Sequence, residues 1–122
     1  MKKSVWLAVF VSSAFMASSG WAKSDAALLT EAKANVVTVT QAKNLKDETG
    51  VTLTGQIVRQ LKPQGDDFEF KDSTGSIILD VDDDLWMPLS LKAGDQVRVI
   101  GEVDTHRVKP TEIEVIHIER IK

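Results

Sequence analysis

Proton transfer near neutral pH would fall to His106 or His117, since these are the only two histidines in the 122-residue chain and it has no cysteine. A hydrolytic nucleophile needs a base held beside it, and no G-x-S-x-G turn is present to present a serine. His106 precedes Arg107 in a stretch with loop character, and His117 lies among isoleucines in a strand pattern. The pattern therefore predicts an exposed loop residue and an edge-strand residue, not catalytic groups or metal ligands. No enzyme activity and no cofactor are expected.

The densest charge feature is acidic: Asp80, Asp82, Asp83 and Asp84, which Asp66, Asp67 and Asp72 could join in space. Hard cations such as Ca²⁺ need several oxygens converging on one point, and consecutive aspartates can supply some of them. The run lacks the glycine and the distal bidentate glutamate of an EF-hand loop, so a solvated, helix-capping run is the favoured reading. A weak divalent-metal site on Asp80, Asp82, Asp83 and Asp84, or a patch attracting cationic peptides, is the alternative.

Positioning these residues requires strands. Val51, Leu53 and Ile57 alternate with Thr52, Thr54 and Gln56, and Gly55 interrupts the row where a strand must bend. Phe68 and Phe70 flank Glu69 in a second strand after the turn Pro63-Gln64-Gly65-Asp66. Ile77, Leu79 and Val81 make a third. Asp82 to Asp84 then lead into Leu85-Trp86-Met87-Pro88-Leu89, a short helical turn able to plug a barrel end.

A fourth strand runs from Gln96 to Asp104 with Gly101 in its middle. A fifth runs from Thr111 to Ile121, where the apolar row changes face near Val115-Ile116, the signature of a bulge. Ahead of them, Val36 to Val39 is extended and Thr40 caps a helix over Gln41 to Asp47. The expected class is all-β with short helices: a five-stranded Greek-key OB barrel with an N-terminal helix and a helical plug between strands 3 and 4. An SH3-like barrel is the rival, but it has no plug at that point.

At the N-terminus, Lys2 and Lys3 precede the apolar run Val5 to Val11, and Gly20-Trp21-Ala22 offers small residues for a signal peptidase. The uninterrupted apolar stretch falls short of the roughly 20 residues that cross a bilayer. Residues 1–22 are therefore expected as a cleaved signal peptide, 23–35 as a flexible lead-in and 36–122 as the OB domain. This places the product in the periplasm, with no membrane insertion after cleavage. Two of the 15 basic residues belong to the leader while all 18 acidic ones follow it, so the remainder carries a net charge near −5. Such a surface repels a phosphate backbone, and nucleic acid is not an expected partner.

Several separated motifs carry a family resemblance: Thr40 to Thr49 (TQAKNLKDET), Val51 to Val58 (VTLTGQIV), Phe70 to Gly75 (FKDSTG), Asp80-Val81-Asp82 and Gly101 to Asp104 (GEVD). The chain resembles the bacterial OB-fold (BOF) family of YgiW/YdeI-like periplasmic stress-tolerance proteins from about Val36 to Ile121. The resemblance implies an exported OB domain that supports tolerance of oxidants, cationic peptides and other envelope stresses by binding a small molecule or a protein. It offers no agreed catalytic residues.

An OB barrel usually binds on its second and third strands and the flanking loops. That analogy nominates Arg59, Glu69, Lys71, Ile78, Asp80, Arg107 and Lys109, a mixed-charge face suited to a small polar ligand, a glycan fragment or an envelope protein. Trp86, Phe68 and Phe70, the aromatic residues beyond the leader, lack the basic neighbours of a base-stacking platform and are assigned to packing.

Overall fold

The computed structural model describes residues 24–121, so the leader segment 1–22 lies outside the described residues. The elements run α1 (Asp25–Lys33), α2 (Val39–Ala42), β1 (Gly50–Gln60), β2 (Asp67–Asp72), β3 (Gly75–Asp80), α3 (Asp83–Trp86), β4 (Gln96–Asp104) and β5 (Glu112–Arg120). The strands close in the order β1-β2-β3-β5-β4, which is the expected OB barrel with its short helix between the third and fourth strands.

Closure depends on β1 serving two neighbours. Its first half, Gly50 to Gln56, pairs with β4 and its second, Gln56 to Gln60, with β2. Gly55 sits at this change of partner, where a Cβ would lie 2.2 Å from the Lys71 carbonyl oxygen and 2.7 Å from the Phe70 ring. No other residue fits there without moving backbone. Gly101 plays the matching part in β4, since its Cβ would come within 2.3 Å of the Glu114 carbonyl oxygen.

The pairing of Ile100 with His117 and of Gly101 with Val115 leaves Ile116 as the extra residue. That bulge is the face change expected near Val115-Ile116. Between these constraints the period-two rows converge: Val51, Leu53, Ile57, Phe68, Phe70, Leu79, Val97, Val99, Val103 and Ile113 are fully buried.

The N-terminal segment departs from expectation. In place of a flexible lead-in over 23–35, Asp25–Lys33 is a helix capped by Ser24, with Leu28 and Ala32 buried. Two apolar residues one turn apart suffice because polar contacts complete the dock. Thr52 Oγ1 donates to the Ala32 carbonyl (2.8 Å) and Asn35 Nδ2 to the Gly50 carbonyl (2.9 Å).

The second helix also differs from the one expected over Gln41 to Asp47. Thr38, not Thr40, is its N-cap, because Gln41 stands three residues on and closes a capping box: Gln41 N–H donates to Thr38 Oγ1 and Thr38 N–H to Gln41 Oε1. Thr40 instead bonds Thr74 across the β2–β3 turn. In the plug, Leu85, Trp86 and Leu89 are partly buried against the core, whereas Met87 is exposed.

Candidate functional site

Strand alternation decides where the carboxylates go. Phe68, Leu79, Ile113 and Val103 fill the core, so the residues beside them, Asp67, Asp80, Glu112, Glu114, Glu102 and Asp104, point outward. The register then aligns them. Asp67 pairs with Asp80, Asp80 with Glu114 and Glu114 with Glu102, which makes a row of four acidic residues across β2, β3, β5 and β4. At 4.7–4.9 Å per strand the row spans about 14 Å. The adjacent row reads Glu69, Ile78, Glu112, Asp104.

Like charges directly opposite each other on neighbouring strands are unfavourable. The strain collects on Asp80, whose carboxyl is pushed up to about 6 by partial burial first, then by the charges of Asp67, Glu112, Glu114 and Asp82. From the β1–β2 loop and the start of α3, Asp66 and Asp82 bring carboxylate oxygens within 4.8 Å of one another and of Asp80. Asp66 accepts from the Trp86 indole N–H at 3.1 Å through one oxygen. Asp82 makes no side-chain cap to α3. Asp83 and Asp84, which precede the helical turn in sequence, are exposed and stand outside this group.

The β4–β5 loop closes the other side of the face. His106 folds back so that its Nε2 lies 3.6 Å from Asp104 Oδ2 and 3.4 Å from Glu112 Oε2, and Lys109 Nζ stands 3.4 Å from the same Glu112 oxygen. The His106 Nε2 atom is buried and makes no hydrogen bond. His106 is thus not the exposed loop residue expected from its sequence neighbours. What sequence alone did not reveal is the Asp104–Glu112 cross-strand pair that receives it; the spacing of Asp104 and His106 on either side of Thr105 was the available hint. His117, by contrast, is exposed on β5 beyond that strand's pairing with β3.

Of the face residues nominated from fold analogy, Arg59, Glu69 and Ile78 meet in one cavity of about 310 Å³ with Leu61 and Pro110. Arg59 and Glu69 are already joined by a 2.8 Å ion pair. Asp80 lies two residues along β3, at the centre of the acidic row. Lys109 is bound to Glu112 and Arg107 is exposed in the loop. Lys71 lies apart, in a shallow pocket with Gly55, Gln56 and Gln96. A larger cavity of about 650 Å³ lies between α1 and the outer side of β1, β4 and β5, lined by Leu29, Val36, Ile100 and Ile116 with Asp25, Lys33, Arg98 and His117. It was not foreseen, because it exists only once α1 is docked.

The model of the family described as bacterial OB fold (BOF) protein matches residues 18–120. The calcium-regulated OB-fold protein CarO of Pseudomonas aeruginosa is 40% identical over 85 residues, covering 70% of this chain and 71% of that protein. The protein YgiW of Escherichia coli is 38% identical over 87 residues, covering 71% of this chain and 65% of its own length. The solved structure of E. coli YgiW superposes with a TM-score of 0.64 over 71% of this chain and 90% of that one, at 38% identity.

Proposed function

We propose, from the premise that this chain belongs to the bacterial OB fold (BOF) family, that it is a non-catalytic binding module whose acidic barrel face takes cationic ligands in the bacterial periplasm. The ligand class that fits best is an extended Lys- or Arg-rich peptide segment on a peptide or envelope protein. The observation carrying this reading is the row Asp67, Asp80, Glu114, Glu102. A line of carboxylates about 14 Å long matches several cationic side chains spaced along a peptide better than it matches one small neutral molecule. The same row argues against a polyanion such as nucleic acid. The 310 Å³ cavity beside it, with Arg59 and Glu69 already paired, would seat one uncharged side chain of such a segment. Contribution to envelope stress tolerance is part of the same proposal; the family resemblance supports it, and capture of cationic peptides by this face would be its physical basis.

A second reading is supported by a specific observation: the carboxylates of Asp66, Asp80 and Asp82 converge within 4.8 Å, the kind of oxygen cluster that Ca²⁺ takes, and a relative is named as calcium-regulated.

Amide NMR titration of the purified protein with hexalysine and, separately, with CaCl₂ discriminates the two. Hexalysine is expected to give saturable shifts along β2, β3 and β5 that weaken on Asp67→Asn and Glu114→Gln and with added salt. Saturable CaCl₂ shifts confined to Asp66, Asp80 and Asp82, with none from hexalysine, would replace the peptide reading by the calcium one. No saturable shift from either would overturn both.

A further inference from the structure

We propose that Asp104, His106 and Glu112 form a binding site for a first-row divalent transition-metal ion, of which Zn²⁺ is the best match. The site is separate from the Asp66–Asp80–Asp82 group and does not rest on the cationic-peptide reading.

The fold builds it in three steps. Asp104 is the last residue of β4 and Glu112 the first of β5, and the register pairs them directly, so their carboxylates leave the barrel side by side. The intervening loop then turns His106 back over that pair. The result is that one ligand atom from each of the three residues lies within 4.8 Å of the other two. His106 and Glu112 are sheltered, 25% and 13% exposed, while Asp104 at 36% keeps one side of the group open to solvent; the imidazole nitrogen facing the carboxylates is buried and makes no hydrogen bond.

A buried ring nitrogen that faces two carboxylates yet hydrogen-bonds neither needs a physical explanation, and a cation held between them supplies one. The distances say which kind. Two ligand atoms each about 2.1 Å from a tetrahedral zinc stand about 3.4 Å apart. His106 Nε2 is 3.4 Å from Glu112 Oε2 and 3.6 Å from Asp104 Oδ2. Both are longer than a charge-assisted hydrogen bond of about 2.7–2.9 Å, which a bare imidazolium held by these carboxylates would form. An imidazole in the set also selects against Ca²⁺ and Mg²⁺, which prefer oxygen only, and toward Zn²⁺ and its neighbours.

Three protein ligands leave a fourth position for water or for a group from a partner. Lys109, which shares Glu112, is largely exposed and can swing aside, while Asp80 and Glu114 on the adjoining row add negative potential that favours any cation here.

The test is a titration of the purified protein with ZnCl₂, followed by calorimetry and by the side-chain nitrogen signals of its two histidines. One equivalent of Zn²⁺ is expected to bind and to move the Nε2 signal of His106 while His117 stays put. His106→Gln is expected to weaken binding by roughly tenfold or more, because even loss of an outer-shell partner costs 10–100-fold. His117→Gln is expected to bind as the parent does, and excess CaCl₂ is expected not to displace the zinc. The proposal is overturned if Zn²⁺ does not saturate, if His106→Gln binds equally well, or if the His106 signal does not respond. That last readout needs no variant, so it stands even if a substitution impairs folding.

Discussion

Replacing Asp80 by asparagine should stabilise the protein at neutral pH, although it removes a charged residue from the centre of the candidate site. The folded-state carboxyl is raised from 3.8 to about 6, so ionised Asp80 favours the unfolded chain. The penalty is absent well below pH 3.8, grows as the pH rises through the interval between the two values, and is complete above about 6. At full weight a shift of that size is worth about 3 kcal/mol. Asp80 is partly open to solvent, and water and salt screen its neighbours, so the expected gain is about 1 kcal/mol.

The assay is urea unfolding followed by far-UV circular dichroism, with Asp80→Asn and the parent compared at pH 7.5 and at pH 4. The variant should have the higher midpoint at pH 7.5, and the difference should shrink to a few tenths of a kcal/mol at pH 4. Raising the salt at pH 7.5 should narrow the gap as well, because the charges of Asp67, Glu112, Glu114 and Asp82 are part of its cause. A variant that is less stable at pH 7.5, or equally displaced at both pH values, would refute the claim that crowded carboxylates strain this face.

Two further outcomes follow from other parts of the barrel. Gly101→Ala should lower stability by about 3 kcal/mol, the upper end of the overpacking range, since its Cβ would meet the Glu114 carbonyl oxygen at 2.3 Å; urea midpoints of parent and variant check this. Asp95 is buried, and the hydrogen bond from Arg120 (2.9 Å), helped by the backbone N–H and side chain of Lys92, lowers its carboxyl to about 2. Its stabilising contribution is therefore present above 3.8 and lost as the pH falls through about 2, and Arg120→Gln should make acid unfolding begin at higher pH.

The barrel was legible because its information is local and periodic. Phe68-Glu69-Phe70 and Ile77-Ile78-Leu79 announce their inner faces by alternation, and Gly55 and the shift at Ile116 mark where strands must bend or bulge. Docking of α1 was not legible, because it rests on two modest apolar residues and on Thr52 and Asn35, whose partners lie 20 and 15 residues away. The acidic site was half legible. Consecutive aspartates drew attention to Asp82, Asp83 and Asp84, but adjacency in sequence sends neighbouring side chains apart. Register brings together Asp67, Asp80 and Glu114, and Asp104 with Glu112, from strands far apart in the chain. His106 was missed for the same reason: its environment is made by β4 and β5 together, and neither strand alone shows it.

The strain on this face and its proposed use share one cause. A barrel selected for stability alone would alternate charge along the row, and opposite charges at Asp80 and Glu114 would turn an unfavourable cross-strand pair into a favourable one. With Asp67, Asp80 and Glu114 aligned, a cation bound beside Asp80 relieves repulsion that the unfolded chain does not have, so binding and stability are linked by mass action. The relief differs between the two proposed occupants. A cationic segment on Asp67, Asp80 and Glu114 should raise the urea midpoint of the parent at pH 7.5 and do so much less in Asp80→Asn, where the repulsion centred on residue 80 has been removed. Zn²⁺ on Asp104, His106 and Glu112 should keep most of its effect in that variant, because Asp80 is not among its ligands. Equal loss of both effects on Asp80→Asn would mean that the whole face acts as one diffuse negative field, with no second site beside it.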